Sequence, residues 1–272
     1  MNTLINGAPC DTISVNDRGL LYGDGVFRTL LLKNGKVLQW HRHYQRLFKD
    51  CTTLKLTCPP ESLLHTELEN LVAGSQQGVI KVIITRGLSQ RGYVPSHNPV
   101  TTRILSLTDL PSYPPSNYDL GVNVHICQIR LGSQPRLAGV KHLNRLENVL
   151  ASAEWSDPAI AEGLLLDELD NVIEGVRSNI FMVKDGELLT PDLSRCGVSG
   201  VQRERLIEWA AQQGVNCKIK DIQLAELFEA DEIFLVNSVI GLWPVHKIGE
   251  QYSCDNHPVA KVIQDWLLNE NN

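Results

Sequence analysis

The spacing of apolar residues in the first third of the chain predicts a hairpin followed by two helices. Residues 26–33 are rich in β-forming side chains, and the Asn34-Gly35 pair that follows them is a strong signal for a two-residue hairpin turn. Apolar residues then recur every three or four positions over 41–54, which predicts a helix with one face inward. A second predicted helix begins after a proline pair and ends near Gly74.

Two strand-like runs come next, at 79–85 and 102–108. The segment between them, 87–99, contains glycine, proline and polar residues without apolar periodicity. Loops of this length inside compact domains are often functional. The loop is therefore a candidate for contact with a ligand.

A domain boundary is predicted at 110–118, where three prolines and two serines fall within nine residues. The predicted arrangement is a small N-terminal α/β domain over 1–109, a linker over 110–118 and a larger C-terminal domain over 119–272. Further strands and helices are predicted in the C-terminal part: strands at 121–129 and in five shorter runs, and helices at 142–155, 201–213 and 258–268. The predicted fold class is a two-domain mixture of α/β and α+β.

Composition narrows the class of protein without giving its chemistry. The chain has 272 residues and a formal net charge of −6, and 43% of its residues are hydrophobic. This composition argues against disorder, and a mildly acidic chain without a basic tail is a poor candidate for a nucleic-acid binder. With no apolar run of spanning length and no secretory signal at the N-terminus, neither a membrane protein nor an exported one is expected. Seven widely spaced cysteines without a Cys-x-x-Cys pair suggest a reduced, cytoplasmic protein with no metal site.

Generic catalytic motifs are absent from the sequence: there is no Walker A loop, no G-x-G-x-x-G after a strand, no H-E-x-x-H and no G-x-S-x-G. Gly23-Asp24-Gly25 taken alone predicts only a tight turn before a strand. What the chain does contain is a set of short motifs in a fixed order: His-Tyr-Gln-Arg-Leu at 43–47, Lys-His-Leu-Asn-Arg at 141–145, Glu-Gly-Val-Arg-Ser-Asn-Ile-Phe at 174–181, Leu-Leu-Thr at 188–190, Gly-Val-Ser-Gly-Val-Gln-Arg at 197–203, and Asn-Ser at 237–238.

Taken together, these motifs resemble those of the fold-type IV pyridoxal-phosphate enzymes, also called the class IV aminotransferase family. That family includes branched-chain and D-amino-acid aminotransferases and 4-amino-4-deoxychorismate lyases. Within it, the segments 78–93 and 131–150 most resemble the lyases, above all Arg-Gly-x-x-x-Arg-Gly-Tyr at 86–93 and Lys-His-Leu-Asn-Arg-Leu-Glu at 141–147. Val176 departs from the family pattern, since a small residue is usual two positions after the glutamate.

The resemblance implies pyridoxal 5'-phosphate as the cofactor, held as a Schiff base on Lys141. That chemistry requires a neutral amine, hence a lysine in a partly desolvated pocket with a lowered pKa. The resemblance also places Glu174 beside the pyridine nitrogen, where a carboxylate keeps the nitrogen protonated. It suggests that Thr29 assists proton transfer near Lys141.

Phosphate binding is expected where the motif at 197–200 precedes the helix predicted at 201–213, because N–H groups at the start of a helix attract anions. Val198 and Ser199 are the residues assigned to this role. The resemblance adds the charge of Arg46, a hydrogen bond from Ser238, and Asn179 as a further residue of the cofactor site.

For the substrate, 4-amino-4-deoxychorismate, the long loop offers Arg91 and Tyr93, since a guanidinium matches a carboxylate. The implied reaction is a β-elimination that yields 4-aminobenzoate and pyruvate, a step of folate biosynthesis. The resemblance further implies a homodimer and a functional link to aminodeoxychorismate synthase.

Two alternatives remain at this stage. The first is a branched-chain or D-amino-acid aminotransferase of the same fold, which would need the same cofactor residues. Many such enzymes carry a tyrosine five positions after the lysine, whereas Leu146 stands there in this chain. The second is a catalytically inactive binding protein, which the presence of Lys141, Glu174 and Arg46 disfavours.

Overall fold

The computed structural model describes residues 2–89, 91–96 and 99–270, which form two compact units. The first unit comprises the chain up to Pro111 together with Val140–Asn144, and the second comprises Ser112–Gly139 and the chain from Arg145 onward. This division differs from the expected one, in which 119–272 formed a single domain that carried Lys141. The difference arises because the lysine segment pairs with a strand of the first unit. Part of the expected linker is also helical.

The first unit is built around one antiparallel sheet. Its elements, in chain order, are β1 (Thr3–Ile5), β2 (Ala8–Pro9), α1 (Arg18–Tyr22), β3 (Gly25–Lys33), β4 (Lys36–Val37), α2 (Trp40–Thr53), α3 (Glu61–Val72), β5 (Gln77–Thr85) and β6 (Thr102–Thr108). The sheet order is β2-β1-β6-β5-β3-β4. Asn34 and Gly35 both have positive φ, as the predicted hairpin turn requires.

Helix α2 packs its buried face against β3, and that face is more polar than the apolar periodicity suggests. Leu47 and Cys51 are buried in the core as expected, whereas Phe48, which the spacing also directs inward, is exposed. His43, Arg46 and Asp50 are buried on the same helix. A buried row of charged residues next to the core marks this helix as part of a site.

The second unit is larger and contains a mixed sheet. Its elements are α4 (Ser116–Asp119), β7 (Val122–Leu131), α5 (Leu146–Ser152), β8 (Ile160–Asp167), β9 (Val172–Gly175), β10 (Asn179–Lys184), β11 (Glu187–Pro191), α6 (Val201–Gln212), β12 (Cys217–Lys220), α7 (Leu224–Leu227), β13 (Glu232–Asn237), β14 (Gly241–Ile248), β15 (Tyr252–Ser253) and α8 (Pro258–Glu270). The sheet order is β12-β11-β10-β13-β14-β7-β8-β9, and β15 pairs with β14.

The predicted mixed α/β fold class is confirmed. One prediction of an element was wrong in extent: the helix expected over 142–155 is confined to Leu146–Ser152. The residues before it are extended, since His142 forms an isolated antiparallel bridge with Val26. In the described part of the chain, every helix is too short or too polar to cross a bilayer.

Candidate active site

Lys141 lies on an extended segment that is hydrogen-bonded on both sides of the lysine. Its backbone N–H donates to Asp50 Oδ2 at 3.1 Å, and its carbonyl accepts from the Phe27 N–H at 2.9 Å. Two residues further on, the Leu143 N–H donates to the Gly25 carbonyl at 3.0 Å. The lysine main chain is therefore fixed to strand β3 and to helix α2. A main chain held in this way helps to place the nitrogen of the side chain accurately.

The amine of Lys141 lies over the ring of Phe27, with Nζ 4.6 Å from the ring centroid. The amine of Lys81 contacts the same ring at 5.0 Å. Side chains alternate along a strand, so Thr29 lies on the same face of β3 as Phe27, directly opposite Lys81 on β5. The structure thus places Thr29 on the face that the Lys141 amine contacts. Sequence reasoning missed Lys81, because an exposed lysine in a strand carries no motif.

Arg46 is 8% exposed and lies one helical turn before Asp50 on α2. Asp50 pairs with the buried Arg28 of β3, whose Nη2 donates to Asp50 Oδ2. Burial raises the pKa of the Asp50 carboxyl, and the charge of Arg28, the Lys141 N–H and the charge of Arg46 all oppose that rise. Two cationic side chains and one backbone N–H of the first unit therefore act on this one buried carboxylate.

Glu174 is a buried residue of β9, in the second unit. Its Oε2 accepts a hydrogen bond of 2.8 Å from the N–H of Val198. The carboxylate is thereby aimed at the loop that precedes α6. A buried carboxylate needs hydrogen bonds or a charged partner, and a protonated ring nitrogen would supply such a charge.

The loop before α6 is itself hydrogen-bonded within the second unit, which alters the expected phosphate contacts. The N–H groups of Val198, Ser199 and Gly200 donate to Glu174, to the Gly139 carbonyl and to Asn179 Oδ1 respectively. They are therefore engaged by the protein and are not positioned as the sequence suggested.

The N–H groups suited to an anion lie three residues further along, at Val201 and Gln202. Both fall in the first turn of α6, where no carbonyl one turn earlier can accept within the helix. The N-cap residue, Gly200, supplies no capping side chain. Ser199 contributes a hydroxyl next to this turn. The signal was present in the sequence, because the predicted helix began at 201.

Asn179 holds this loop through hydrogen bonds made by both the nitrogen and the oxygen of its side-chain amide. Its Nδ2 donates to the Val198 carbonyl at 2.8 Å, while Oδ1 accepts from the Gly200 N–H at 3.1 Å. A Cβ atom on Gly200 would lie 2.3 Å from that Oδ1, so the position requires glycine. The structure thus indicates that Asn179 shapes the loop, which is a more indirect role than contact with the cofactor.

Ser238 is half buried and follows β13 at the end where its neighbour β10 begins. Asn237 organises this turn: its Oδ1 accepts from the N–H groups of Val239 and Ile240, and its Nδ2 donates to the Arg177 carbonyl at 3.1 Å. Ser238 therefore lies at the same end of the sheet as Asn179.

Arg91 and Tyr93 lie on an exposed part of the long loop. The backbone of that loop is held by Arg18, whose guanidinium donates to the carbonyls of Gly92 and Tyr93 at 3.0 and 2.8 Å. The ring of Tyr93 lies 5.4 Å from that of Tyr22. The loop is therefore anchored by its main chain, while the side chains of Arg91 and Tyr93 are exposed. Gln90, His97 and Asn98 lie outside the described residues.

Asp24 links the anchor of the loop to the rest of the first unit. Its carboxylate accepts from Arg18 Nε at 2.8 Å and from Arg86 Nε and Nη2 at 2.8 and 3.0 Å. Burial disfavours the charged form, but the hydrogen bonds and charges of Arg86 and Arg18 outweigh burial and hold the pKa of Asp24 below its ordinary value of 3.8. The turn predicted at Gly23-Asp24-Gly25 is thus also the centre of an ion-pair network.

We expect Asp24→Asn to lower the free energy of unfolding at pH 7 by about 3 kcal/mol, because it leaves two nearly buried guanidinium groups without their carboxylate. Since the pKa of Asp24 is depressed on folding, its stabilisation is present above the unfolded-state pKa and is lost as the pH falls through the folded-state value. The difference in free energy of unfolding between wild type and variant should therefore become smaller as the pH falls below about 5. Urea unfolding of both proteins at several pH values measures this difference.

The exposed residue Asp109 provides the matched control for this measurement. Asp109→Asn should follow the wild type at every pH. A gap between Asp24→Asn and wild type that stayed constant from pH 7 to acid would contradict the ion-pair argument.

The groups gathered in the second unit fit pyridoxal phosphate. The start of α6 and the Ser199 hydroxyl suit a phosphate dianion, and the buried Glu174 carboxylate suits a protonated pyridine nitrogen. The backbone around them is closely packed, since a Cβ on Gly139 would lie 2.9 Å from Ser199 Oγ.

The fold and these groups are those of a cofactor-dependent enzyme, and the comparison with family models defines the class. The model for class IV aminotransferases matches residues 25–248. The match spans most of the chain, from the first residue of β3 to the last residue of β14. The chain therefore belongs to the class IV aminotransferase family.

Particular relatives are similar over almost their whole length. An aminodeoxychorismate lyase from Vibrio harveyi is 35% identical, and the alignment covers 96% of each chain. The crystal structure of 4-amino-4-deoxychorismate lyase from Pseudomonas aeruginosa is 45% identical with a TM-score of 0.94, and it covers 98% of each chain. A PLP-bound structure of a hypothetical aminotransferase from Mycobacterium tuberculosis shares the fold at 21% identity and a TM-score of 0.85, over 99% of this chain and 98% of that one.

Proposed function

We propose that the chain is a pyridoxal-phosphate-dependent lyase that converts 4-amino-4-deoxychorismate to 4-aminobenzoate and pyruvate. The observation that carries the proposal is the similarity at 45% identity, over nearly the full length of both chains, to a 4-amino-4-deoxychorismate lyase. The residues themselves support it: Lys141 in the first unit, and Glu174 and the start of α6 in the second, each meet a chemical need of the cofactor.

In this proposal, Lys141 holds the cofactor covalently and Glu174 keeps its ring nitrogen protonated. The N–H groups of Val201 and Gln202, the Ser199 hydroxyl and the Arg46 guanidinium bind the phosphate, and Ser238 adds a hydrogen bond. Val198 and Asn179 act through the loop, Val198 by orienting Glu174 and Asn179 by fixing Gly200. When bound, pyridoxal phosphate supplies a carbon that links to amines and a ring that accepts electrons.

Proton transfer falls to the amine of Lys141. It removes the proton from the ring carbon of the substrate that bears the amine, and the proton is then passed on as enolpyruvate leaves from the neighbouring carbon. The products balance as 4-aminobenzoate and pyruvate without an oxidant or an amino acceptor. The hydroxyl of Thr29, on the same face of β3 as Phe27, is suited to assist this transfer.

Arg91 and Tyr93 bind a carboxylate of the substrate in this proposal. The anchoring of their loop by Arg18 supports it, since an arginine whose main chain is fixed loses less conformational entropy on binding. Both side chains are exposed in the structure, so they are accessible to a ligand that arrives from solvent.

The deciding experiment incubates the purified chain with chorismate, glutamine and aminodeoxychorismate synthase, and measures 4-aminobenzoate and pyruvate. We expect both products in equal amounts without an added keto acid. A parallel reaction supplies branched-chain or D-amino acids together with a keto acid. Efficient transamination there, with no 4-aminobenzoate in the first reaction, would overturn the lyase proposal in favour of an aminotransferase.

We also propose a homodimer that works in the cytoplasm alongside aminodeoxychorismate synthase. An exposed apolar stripe on α5 supports self-association: Leu146, Val149 and Leu150 recur at helical spacing and are 57–75% exposed. Sedimentation should give twice the chain mass of 30.3 kDa. A species of 30.3 kDa at micromolar concentration would contradict the dimer.

A further inference from the structure

We infer that Asp50 is a positioning residue that fixes Lys141 relative to the helix carrying Arg46. The inference rests on the proposed function, in which Lys141 holds the cofactor and Arg46 binds its phosphate. It extends that function to a residue that lies beneath the site and that none of the motifs contains.

The first support is the geometry around Asp50. One oxygen, Oδ2, accepts from both the Lys141 N–H and Arg28 Nη2. Asp50 lies one turn after Arg46 on α2, so a single helix carries the group that holds the lysine main chain and the guanidinium proposed for the phosphate. Cofactor binding at Lys141 and at Arg46 therefore depends on a distance that Asp50 maintains.

The second support is the free-energy cost of burying the charged groups of Asp50 and Arg28 in the interior. Asp50 and Arg28 are 2% and 3% exposed, and a buried ion pair of this kind is rarely needed for stability, since apolar residues of similar volume often serve as well. In some proteins a buried polar residue of this kind fixes a structural register. The hydrogen bond to Lys141 is the interaction that an apolar replacement could not reproduce.

The third support is that Asp50 supplies one of the main-chain bonds that hold the lysine segment. The carbonyl of Lys141 accepts from Phe27, and the bond from Leu143 to Gly25 follows two residues later. Without Asp50, the N–H of the half-buried Lys141 loses this acceptor, and the segment would be less ordered in the apoprotein. Binding the cofactor would then have to restore its order, which weakens affinity.

The test separates positioning from stability by changing both members of the pair. Arg28→Met with Asp50→Leu removes both charges together, so the fold should be about as stable as the wild type, but it offers the Lys141 N–H no acceptor. Arg28→Met with Asp50→Asn also removes both charges but retains an acceptor of the same shape. The three proteins are compared by urea unfolding, by titration of the apoprotein with pyridoxal phosphate, and by visible circular dichroism of the bound cofactor.

We expect the leucine double variant to bind pyridoxal phosphate about ten- to a hundredfold more weakly than wild type, with reduced dichroism, although its unfolding midpoint is preserved. The asparagine double variant should recover most of the affinity and the dichroic signal. Equal affinity and dichroism in the two double variants would overturn the inference. If the leucine double variant fails to fold, Arg28→Met with Asp50→Val replaces it, since valine occupies less volume and likewise offers the Lys141 N–H no acceptor.

Failure of the proposed function gives a different result. In the wild-type protein, borohydride reduction followed by peptide mapping should place the cofactor on Lys141. If the wild type bound no pyridoxal phosphate there, the proposed function would fail, whereas normal labelling with no difference between the double variants would reject only the role of Asp50.

Discussion

Lys141→Ala is expected to reduce 4-aminobenzoate formation at least about a thousandfold, because the variant loses both the covalent attachment of the cofactor and the base that moves the substrate proton. The backbone hydrogen bonds from Lys141 to Asp50 and Phe27 do not involve the side chain, so the fold should be retained. Product formation is measured with saturating pyridoxal phosphate, and retention of the fold is checked by circular dichroism.

Lys36→Ala provides the matched control, since Lys36 is an exposed lysine of the same unit, on β4. This variant should retain wild-type activity. Borohydride should incorporate cofactor into wild type and Lys36→Ala but not into Lys141→Ala. Substantial activity in Lys141→Ala, with cofactor trapped on another lysine, would show that Lys141 had been assigned wrongly.

Glu174→Gln is expected to lower kcat by about a hundredfold or more, because a neutral amide cannot keep the ring nitrogen of the cofactor protonated. The amide oxygen can still accept the hydrogen bond that Val198 now donates to Glu174 Oε2. The loop before α6 should therefore keep its conformation, and the loss of activity reports the loss of charge. The measurement combines kcat with the apparent affinity for pyridoxal phosphate, which should change less than kcat.

The control is Glu168→Gln, at an exposed position in the turn between β8 and β9. It should behave as wild type in both measurements. If Glu174→Gln kept wild-type kcat, the carboxylate would not serve the ring nitrogen, and its bond to Val198 would be its main contribution.

Much of the fold is predictable because local signals are strong. The Asn34-Gly35 turn specifies the hairpin, and the period of apolar residues marks α2, since both depend on nearest neighbours along the chain. The extended conformation of His142 was missed because it depends on pairing with β3, more than a hundred residues earlier. The spacing of apolar residues over 142–155 suggested a helix. Pairing with β3 instead gives its first residues an extended conformation.

The candidate site was only partly predictable for a similar reason. Lys141, Glu174 and Arg46 stand in ordered motifs, whereas Asp50, Lys81 and Arg28 stand outside them and show their importance only through burial or contact. The hydrogen bonds that the N–H groups of Val198, Ser199 and Gly200 make within the protein depend on tertiary contacts, so they could not be predicted from the sequence. Arg203 shows the opposite case: its motif reflects buried bonds to Thr190 and the Pro191 carbonyl that tie α6 to β11.

The inclusion of Val140–Asn144 in the first unit has a consequence for the synthesis of the protein. Strand β1 pairs with β6, so the sheet of the first unit can close once residue 108 has left the ribosome, while the lysine segment has still to be made. During that interval the edge of β3 at 25–27 has not yet paired with the lysine segment. The N–H of Lys141, which donates to Asp50 in the folded protein, has not yet been made. Residues 112–139 must be translated before the segment that completes the first unit appears, so the Lys141 segment is one of the last parts of that unit to fold.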